Sequence, residues 1–343
     1  MTSDSRRFDA LRQFAVQELR GVAAIEPASA DASFRSYWRV SLETAPTPTY
    51  IVMDAPPDKE AIDPWLDIGA RLRLAGLHTP EVLAVDRANG FVLMEDLGTR
   101  LYLPALDDSS VDVLYADALD ALLKMQTHAD AAGLPHFDEA FITKELELMP
   151  EWFLRRHLGA SVDCDDWDRI EVAFRTLISS ARAQPQTFMH RDYHSRNLLV
   201  VDANNPGVID YQGAMIGPIT YDLASLLRDC YIAWDAERVE GWLESHRQRL
   251  VHAHLIDTHV DAARFRRWFD LAGLQRHLKV LGIFCRLWYR DGKRHYLDDL
   301  ALTWHYVIQV SRRYSELAPL ADVLERTLGD RDIRQPREEG VSQ

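Results

Sequence analysis

Apolar residues recur along this chain with two periods, and the change from one to the other divides it. In residues 8–20, Phe8, Leu11, Ala15 and Leu19 share one helical face. From 37 to 42 the pattern alternates, with Trp38, Val40 and Leu42 on one side, which predicts a strand. A second strand is predicted at 50–53 and is halted by Pro56-Pro57. A helix over about 60–75 ends at Gly76, a usual C-terminal signal. Strands at 82–85 and 91–94 flank the Asn89-Gly90 turn. After Leu97-Gly98 the period turns helical, over 111–133, 140–159 and 165–183, and again from about 220 to 327. One apolar–turn–apolar unit interrupts the helices. Residues 198–201 and 208–209 are apolar, and the turn-rich run from Asp202 to Gly207 joins them as a β-hairpin. Strands first and helices later predict an α+β fold rather than an alternating parallel sheet. The expected organisation is a strand-rich lobe with one inserted helix over 1–96, a helical lobe over 97–330, and a polar, flexible tail over 331–343.

Composition narrows the classes. A chain of 343 residues is too long for one small core and suits two lobes. With 27% charged residues and no apolar run of signal-peptide or membrane-span length, a cytoplasmic protein without a membrane partner is expected. The formal net charge of -14 argues against nucleic acid as a main partner, because an acidic surface repels phosphate chains. It leaves room for a nucleotide, since a local cation or Mg²⁺ reverses the field inside a cleft. The cysteines, Cys164, Cys230 and Cys285, are scattered and odd in number, so they read as reduced core thiols rather than a disulfide framework or zinc site.

The chemistry concentrates in His190-Arg191-Asp192-Tyr193-His194-Ser195-Arg196-Asn197, which fits H-R-D-x-x-x-x-N, the catalytic-loop pattern of protein kinases. In that pattern Asp192 accepts the proton of an attacking hydroxyl, and Asn197 offers a neutral carbonyl oxygen to Mg²⁺. The hairpin that follows brings its open ends together, so Asn197 should meet Asp210 and complete a hard-oxygen site for the metal. Metal bridging of phosphates is the central electrostatic device of phosphoryl transfer.

The segment MHRDYHSRNLLV, followed by GVIDYQGAMIGPITYDLASLLRD, resembles the aminoglycoside phosphotransferase and choline kinase family. The resemblance implies a protein-kinase-like bilobal fold with ATP and Mg²⁺ as cofactors. In that family the metal-binding Asp sits in I-D-[FWY]-x, here Ile209-Asp210-Tyr211-Gln212, and a later Asp, here Asp222, supports the catalytic loop rather than reacting. The segment FVLMEDLG resembles the hinge between lobes, where the backbone of Glu95, Asp96 and Leu97 holds adenine. More narrowly, SFRSYWRV, IVMDAPPDKE, ELELMPEWFLRRHLG and LQRHLKVLGIFCRLWYRDGKRHYL are similar to the bacterial cell-wall amino-sugar kinases. Those phosphorylate the anomeric hydroxyl of N-acetylmuramate or N-acetylglucosamine in peptidoglycan recycling. A kinase of aminoglycosides or other small alcohols, and a nucleotide-binding scaffold without turnover, stay open as alternatives.

Two departures from the family pattern stand out. The expected phosphate-covering loop, residues 29–36, contains no glycine; Ser33, Phe34 and Arg35 are its candidate nucleotide contacts. Met53 stands where the family carries a phosphate-pairing lysine, and its usual glutamate partner falls near Trp65. Loss of both is coherent, because a buried glutamate without its cation is costly. The missing positive charge should then come from Arg35, Arg39 or Lys59.

The one dense cationic run, 286–295, reads either as a solvated helix end or as a substrate wall with aromatic stacking. On the second reading Arg286 and Tyr289 join His194 and Gln212 as substrate contacts. An arginine fork there would bind the lactyl carboxylate of N-acetylmuramate well. His190 is expected to orient the catalytic loop by hydrogen bonding.

Overall fold

A computed structural model describes residues 3–30, 34–43 and 49–337. In chain order it contains α1 (Ser3–Glu18), β1 (Val22–Ala30), β2 (Ser36–Leu42), β3 (Thr49–Asp54), α2 (Asp63–Leu74), β4 (Val82–Asp86) and β5 (Phe91–Glu95). Then come α3 (Tyr102–Ala105), α4 (Val111–His128), α5 (Glu139–Leu146), a π-helix (Met149–His157) and α6 (Cys164–Ala183). Short strands β6 (Gln186–Met189), β7 (Leu198–Leu199), β8 (Gly207–Val208) and β9 (Met215–Pro218) follow. The chain finishes with α7 (Tyr221–Leu227), α8 (Ala236–His252), α9 (Ala262–Tyr289), a 3₁₀ turn (Arg294–Leu297), α10 (Leu300–Arg313) and α11 (Ala318–Leu328). Among the described residues no helix is long and apolar enough to cross a membrane.

The chain divides into two compact units, Met1–Asp130 with Arg196–Gly213, and Ala131–Ser195 with Ala214–Gln343. The boundary expected at 96 and 97 is drawn elsewhere by this division: α3, α4 and the β7–β8 hairpin count with the N-terminal sheet.

In the first unit five antiparallel strands run in the order β1-β2-β3-β5-β4. Side chains alternate between faces with period two. One face, carrying Val40, Val52, Phe91 and Leu93, packs on Leu11, Phe14 and Ala15 of α1 into a single core. The other face carries Tyr37, Arg39, Ile51 and Met94 and lines a cleft. The alternation does not announce β1, whose sequence VAAIEPASA is alanine-rich and contains Pro27. It is an edge strand, and Pro27 sits at a register shift, two settings in which proline's missing N–H does little harm. Helix α2 buries Trp65, Ile68, Gly69 and Leu72, and Gly76 stops it at a φ of +87°.

The second unit is built around α9, a 28-residue helix buried over most of its circumference, against which the π-helix, α6, α7 and α10 pack. The β6–β9 ladder, too short to read from the sequence, brackets the catalytic loop and pairs Met189 with Met215. Gly282 is the point of closest approach. A methyl group there would run into the carbonyl oxygen of Leu148, which is backbone and cannot swing aside. Gly282→Ala should therefore destabilise the fold by about 2 kcal/mol or more, as overpacking does. A thermal melt checks this, and an unchanged Tm would show that the crossing is looser than drawn.

The tail expected from residue 331 is tied down as far as Arg337. Ile333 is buried, its carbonyl lies 2.6 Å from His157 Nε2, and Arg331 donates to the Leu158 carbonyl. Cys230 and Cys285 are core thiols as expected, but Cys164 is exposed at the start of α6, where its neighbours are the acidic first turn rather than apolar packing.

Candidate active site

The cleft of the first unit has a volume of about 420 Å³. Its floor is the sheet face described above, and its rim is the segment leaving β5, including Glu95, Asp96 and Leu97. Asp96 is turned back into the protein. Arg39 Nε and Nη2 donate to its two oxygens at 2.6 and 3.1 Å, and the Gly98 N–H donates to Oδ1 at 2.9 Å. A bidentate pair of this kind fixes geometry as well as charge, so the rim is held in one conformation. Glu95 accepts from the Glu81 N–H and lies 3.0 Å from His78 Nε2.

The β7–β8 hairpin does what its sequence predicts. Leu198 pairs with Val208, the Ile209 N–H donates to the Asn197 carbonyl, and Asn197 and Asp210 meet at the open end. Asn197 Nδ2 is 3.4 Å from Asp210 Oδ2, and a half-turn of the amide would present its oxygen there instead. Asp210 has a φ of +62°, a strained conformation for a residue other than glycine and one found disproportionately at functional sites. Gln212 Nε2 donates to Asp210 Oδ1 at 2.7 Å. One carboxylate and one amide oxygen suit Mg²⁺, which keeps waters and takes its remaining ligands from phosphate.

The cations named as stand-ins for the strand lysine separate clearly. Arg35 is buried, with Nε 3.3 Å from Glu60 and Nη2 3.7 Å from Asp210. Arg39 is committed to Asp96, and Lys59 lies over the Phe34 ring at 5.2 Å. Met53 is wholly buried in β3. Trp65 packs at a tilt against Tyr211, ring centres 5.4 Å apart, and Gly69 leaves room for the Tyr211 hydroxyl. Trp65, named as the position of the usual glutamate, is thus engaged with an aromatic ring. Phe34 is exposed, and Ser33 lies outside the described residues.

In the second unit the loop from His190 to Ser195 is clamped by two buried acidic side chains from one short stretch. Asp222 accepts the His190 N–H at 2.7 Å and the Arg191 N–H at 2.9 Å. Asp229 accepts both the Ser195 N–H at 3.0 Å and the Ser195 hydroxyl at 2.5 Å. The sequence reading found Asp222 and missed Asp229, which has no motif of its own; its signal is only the spacing of seven residues from Asp222, across helix α7. His190 is buried, and its Nδ1 accepts the Asp192 N–H at 3.3 Å. His194 packs edge-on against Tyr231 at 5.6 Å.

The two carboxyls at the loop are pushed apart. Burial raises Asp192, but the positive charges of Lys279, His194, Arg191 and Arg276 outweigh it and hold this group well below the usual carboxylate range. Asp222 is pushed up to about 7, first by burial and then by Asp192, against the pull of its two backbone N–H bonds. Asp192 is thus an ionised acceptor at neutral pH. The contribution of its charge to stability is lost only as pH falls through its lowered value, whereas Asp222 is favoured in its protonated form and that contribution is lost as pH rises from the ordinary carboxylate range towards 7. Divergent carboxyls of this kind are enriched at acid–base sites and occur in structural ion-pair networks as well.

Arg191 and Lys279 share Glu145, at 2.7 and 3.2 Å. Tyr289, named with the substrate contacts, has its hydroxyl engaged by the tail: it accepts from the Arg337 N–H at 2.9 Å and lies 3.2 Å from His157 Nδ1. Arg286 lies three residues before it on α9, half-buried.

A model of the phosphotransferase enzyme family matches residues 24–255, and the chain belongs to that family. It is 42% identical over 304 residues to a Pseudomonas putida protein, covering 88% of this chain and 87% of that one. It is 37% identical to a Neisseria meningitidis protein, covering 89% and 91%. Both are called N-acetylmuramate/N-acetylglucosamine kinase. Among solved structures, a choline kinase from Cryptosporidium parvum superposes with a TM-score of 0.61 at 11% identity, over 92% of this chain and 99% of that one. The ADP-bound aminoglycoside phosphotransferase APH(2'')-Ib superposes with a TM-score of 0.57 at 13% identity, over 87% and 97%. At such identities the likeness is one of fold.

Proposed function

We propose that this chain transfers the γ-phosphate of ATP, as its magnesium complex, to the anomeric hydroxyl of N-acetylmuramate or N-acetylglucosamine. The observation that carries this reading is the agreement of four relatives, 28–42% identical over 88–90% of this chain, all called kinases of these two sugars. In this account the sheet-floored cleft takes the adenosine, with the backbone at Glu95–Leu97 along the base. Asn197 and Asp210 would hold the metal, which would supply positive charge to offset that of the phosphates. Asp192 accepts the proton from the attacking sugar hydroxyl. His190 and Asp222 keep its loop in place, and Asp229 does the same from the Ser195 end. The β-rich lobe is the nucleotide side and the helical lobe the sugar side.

Arg35 takes the part of the missing strand lysine. It is buried beside the metal-side carboxylate, whereas Arg39 is already engaged with Asp96. Arg35→Ala should raise KM for ATP about tenfold or more, the weight of one charge-assisted contact to phosphate. Lys59→Ala should leave it nearly unchanged. Equal effects from both would remove this assignment. The function as a whole is tested by ADP release across a panel of N-acetylated amino sugars, choline and aminoglycosides. Turnover confined to the two named sugars supports it. Turnover of aminoglycosides alone, or tight ATP binding with no turnover, contradicts it.

A further inference from the structure

We infer that Arg286 is the subsite for an acidic substituent on the acceptor sugar, and so the residue that separates N-acetylmuramate from N-acetylglucosamine. The inference rests on the proposed amino-sugar kinase reading and adds which side chain reads the one group by which the two sugars differ.

The geometry begins at Asp192. Lys279 on α9 is buried and near enough to bear on the Asp192 carboxylate. On a helix, positions i, i+4, i+7 and i+11 fall on one stripe. From Lys279 that stripe runs through Ile283 and Arg286 to Arg290. Arg286 lies seven residues beyond Lys279, about 10 Å along the axis at 1.5 Å per residue. One pyranose ring with an acidic arm, met by an arginine side chain, spans that distance. The stripe therefore leads outward from the reacting end with a cation placed one sugar away.

The charges along the stripe are not equivalent. Lys279 is paired with Glu145. Arg290 makes a two-pronged pair with Asp291 at 2.7 and 2.9 Å. Glu151, on the π-helix that packs along α9, is committed to Arg155. Among the described residues Arg286 has no ion-pair partner, and its Nε is buried without a hydrogen-bond acceptor. Burial, and next the charge of Arg290, depress its pKa, and Asp291, itself paired with Arg290, only partly offsets them. A half-buried guanidinium left in this state is costly unless an anion completes it. The planar fork matches a carboxylate.

The neighbours hold Arg286 in place rather than compete for it. Gly282, one turn earlier, seats α9 against Leu148, and Tyr289, one turn later, is fixed by His157. The cation is thus carried on a stretch of helix pinned at both ends, which suits a specificity contact.

The test compares the two sugars in one enzyme. Arg286→Ala and Arg286→Gln should each raise KM for N-acetylmuramate about tenfold or more, as loss of a charge-assisted contact does, and change KM for N-acetylglucosamine less than about twofold. Equal losses for both sugars, no loss for either, or loss of the preference on Lys293→Ala instead would overturn the inference. If the unaltered protein turns over neither sugar, the kinase reading fails separately. Calorimetry then decides this one: N-acetylmuramate should bind more tightly than N-acetylglucosamine, with the margin gone in Arg286→Gln. Equal binding of the two sugars would overturn it.

Discussion

Replacing Asp210 by alanine is expected to reduce turnover about a thousandfold or more, the upper end of what loss of one electrostatic contact in an active site costs. Asp210 faces Asn197 at the open end of a hairpin, and Gln212 and Arg35 are turned towards it. Without the carboxylate, Asn197 alone offers one neutral oxygen, which does not hold Mg²⁺ against its hydration shell. Affinity for the magnesium–nucleotide complex should fall, while affinity for nucleotide without metal should hardly change. The fold should survive, because Arg35 retains Glu60 and the hairpin retains its backbone pairing. Nucleotide titrations with and without magnesium, beside kcat, check this. An Asp210→Ala protein with ordinary turnover would mean that the metal is held elsewhere.

Asp192→Asn should lower kcat at least about a hundredfold, within the range for losing a general base, and leave ATP binding nearly intact. The substitution is close to isosteric. The loop around it stays held at His190 and Arg191 by Asp222 and at Ser195 by Asp229, so the loss is one of chemistry rather than position. Because nearby cations keep Asp192 ionised, turnover in the unaltered enzyme should show no loss from this group between neutral and mildly acidic pH. Steady-state kinetics over that range, with nucleotide affinity measured in parallel, gives both answers. Retention of near-normal kcat would remove Asp192 from its role.

What was legible in the sequence was local. The hairpin was readable because an apolar–turn–apolar run determines its own pairing, and that pairing carries Asn197 to Asp210 whatever surrounds it. Strands β2 to β5 and most helices followed from periodicity for the same reason. What was not legible depends on partners far along the chain. Asp229 looks like an ordinary acidic residue after α7 until Ser195, 34 residues earlier, is found donating to it. Nothing in the sequence near Tyr289 tells that its hydroxyl meets His157 and the tail at Arg337. Arg35 ranks first in the sequence as the cation facing Asp210, ahead of Arg39 and Lys59, but what separates them is not legible there, because Asp96 has to lie within reach of Arg39 and Asp210 within reach of Arg35. The π-helix was read as part of one helix over 140–159, since a single-residue widening of the turn leaves the apolar spacing nearly unchanged. Edge strand β1 was hidden by Pro27, which argues against a strand except at an edge or a register shift.

The hydroxyl that carries the new phosphate decides whether the proposed reaction is the right one. The enzyme is given ATP, magnesium and N-acetylglucosamine labelled with ¹³C at the anomeric carbon, and the product is followed by ³¹P and ¹³C NMR. The account predicts a single new phosphomonoester whose phosphorus couples to the labelled carbon, formed in step with ADP. A phosphate on the 6-hydroxyl, or no sugar phosphate despite bound nucleotide, would contradict it.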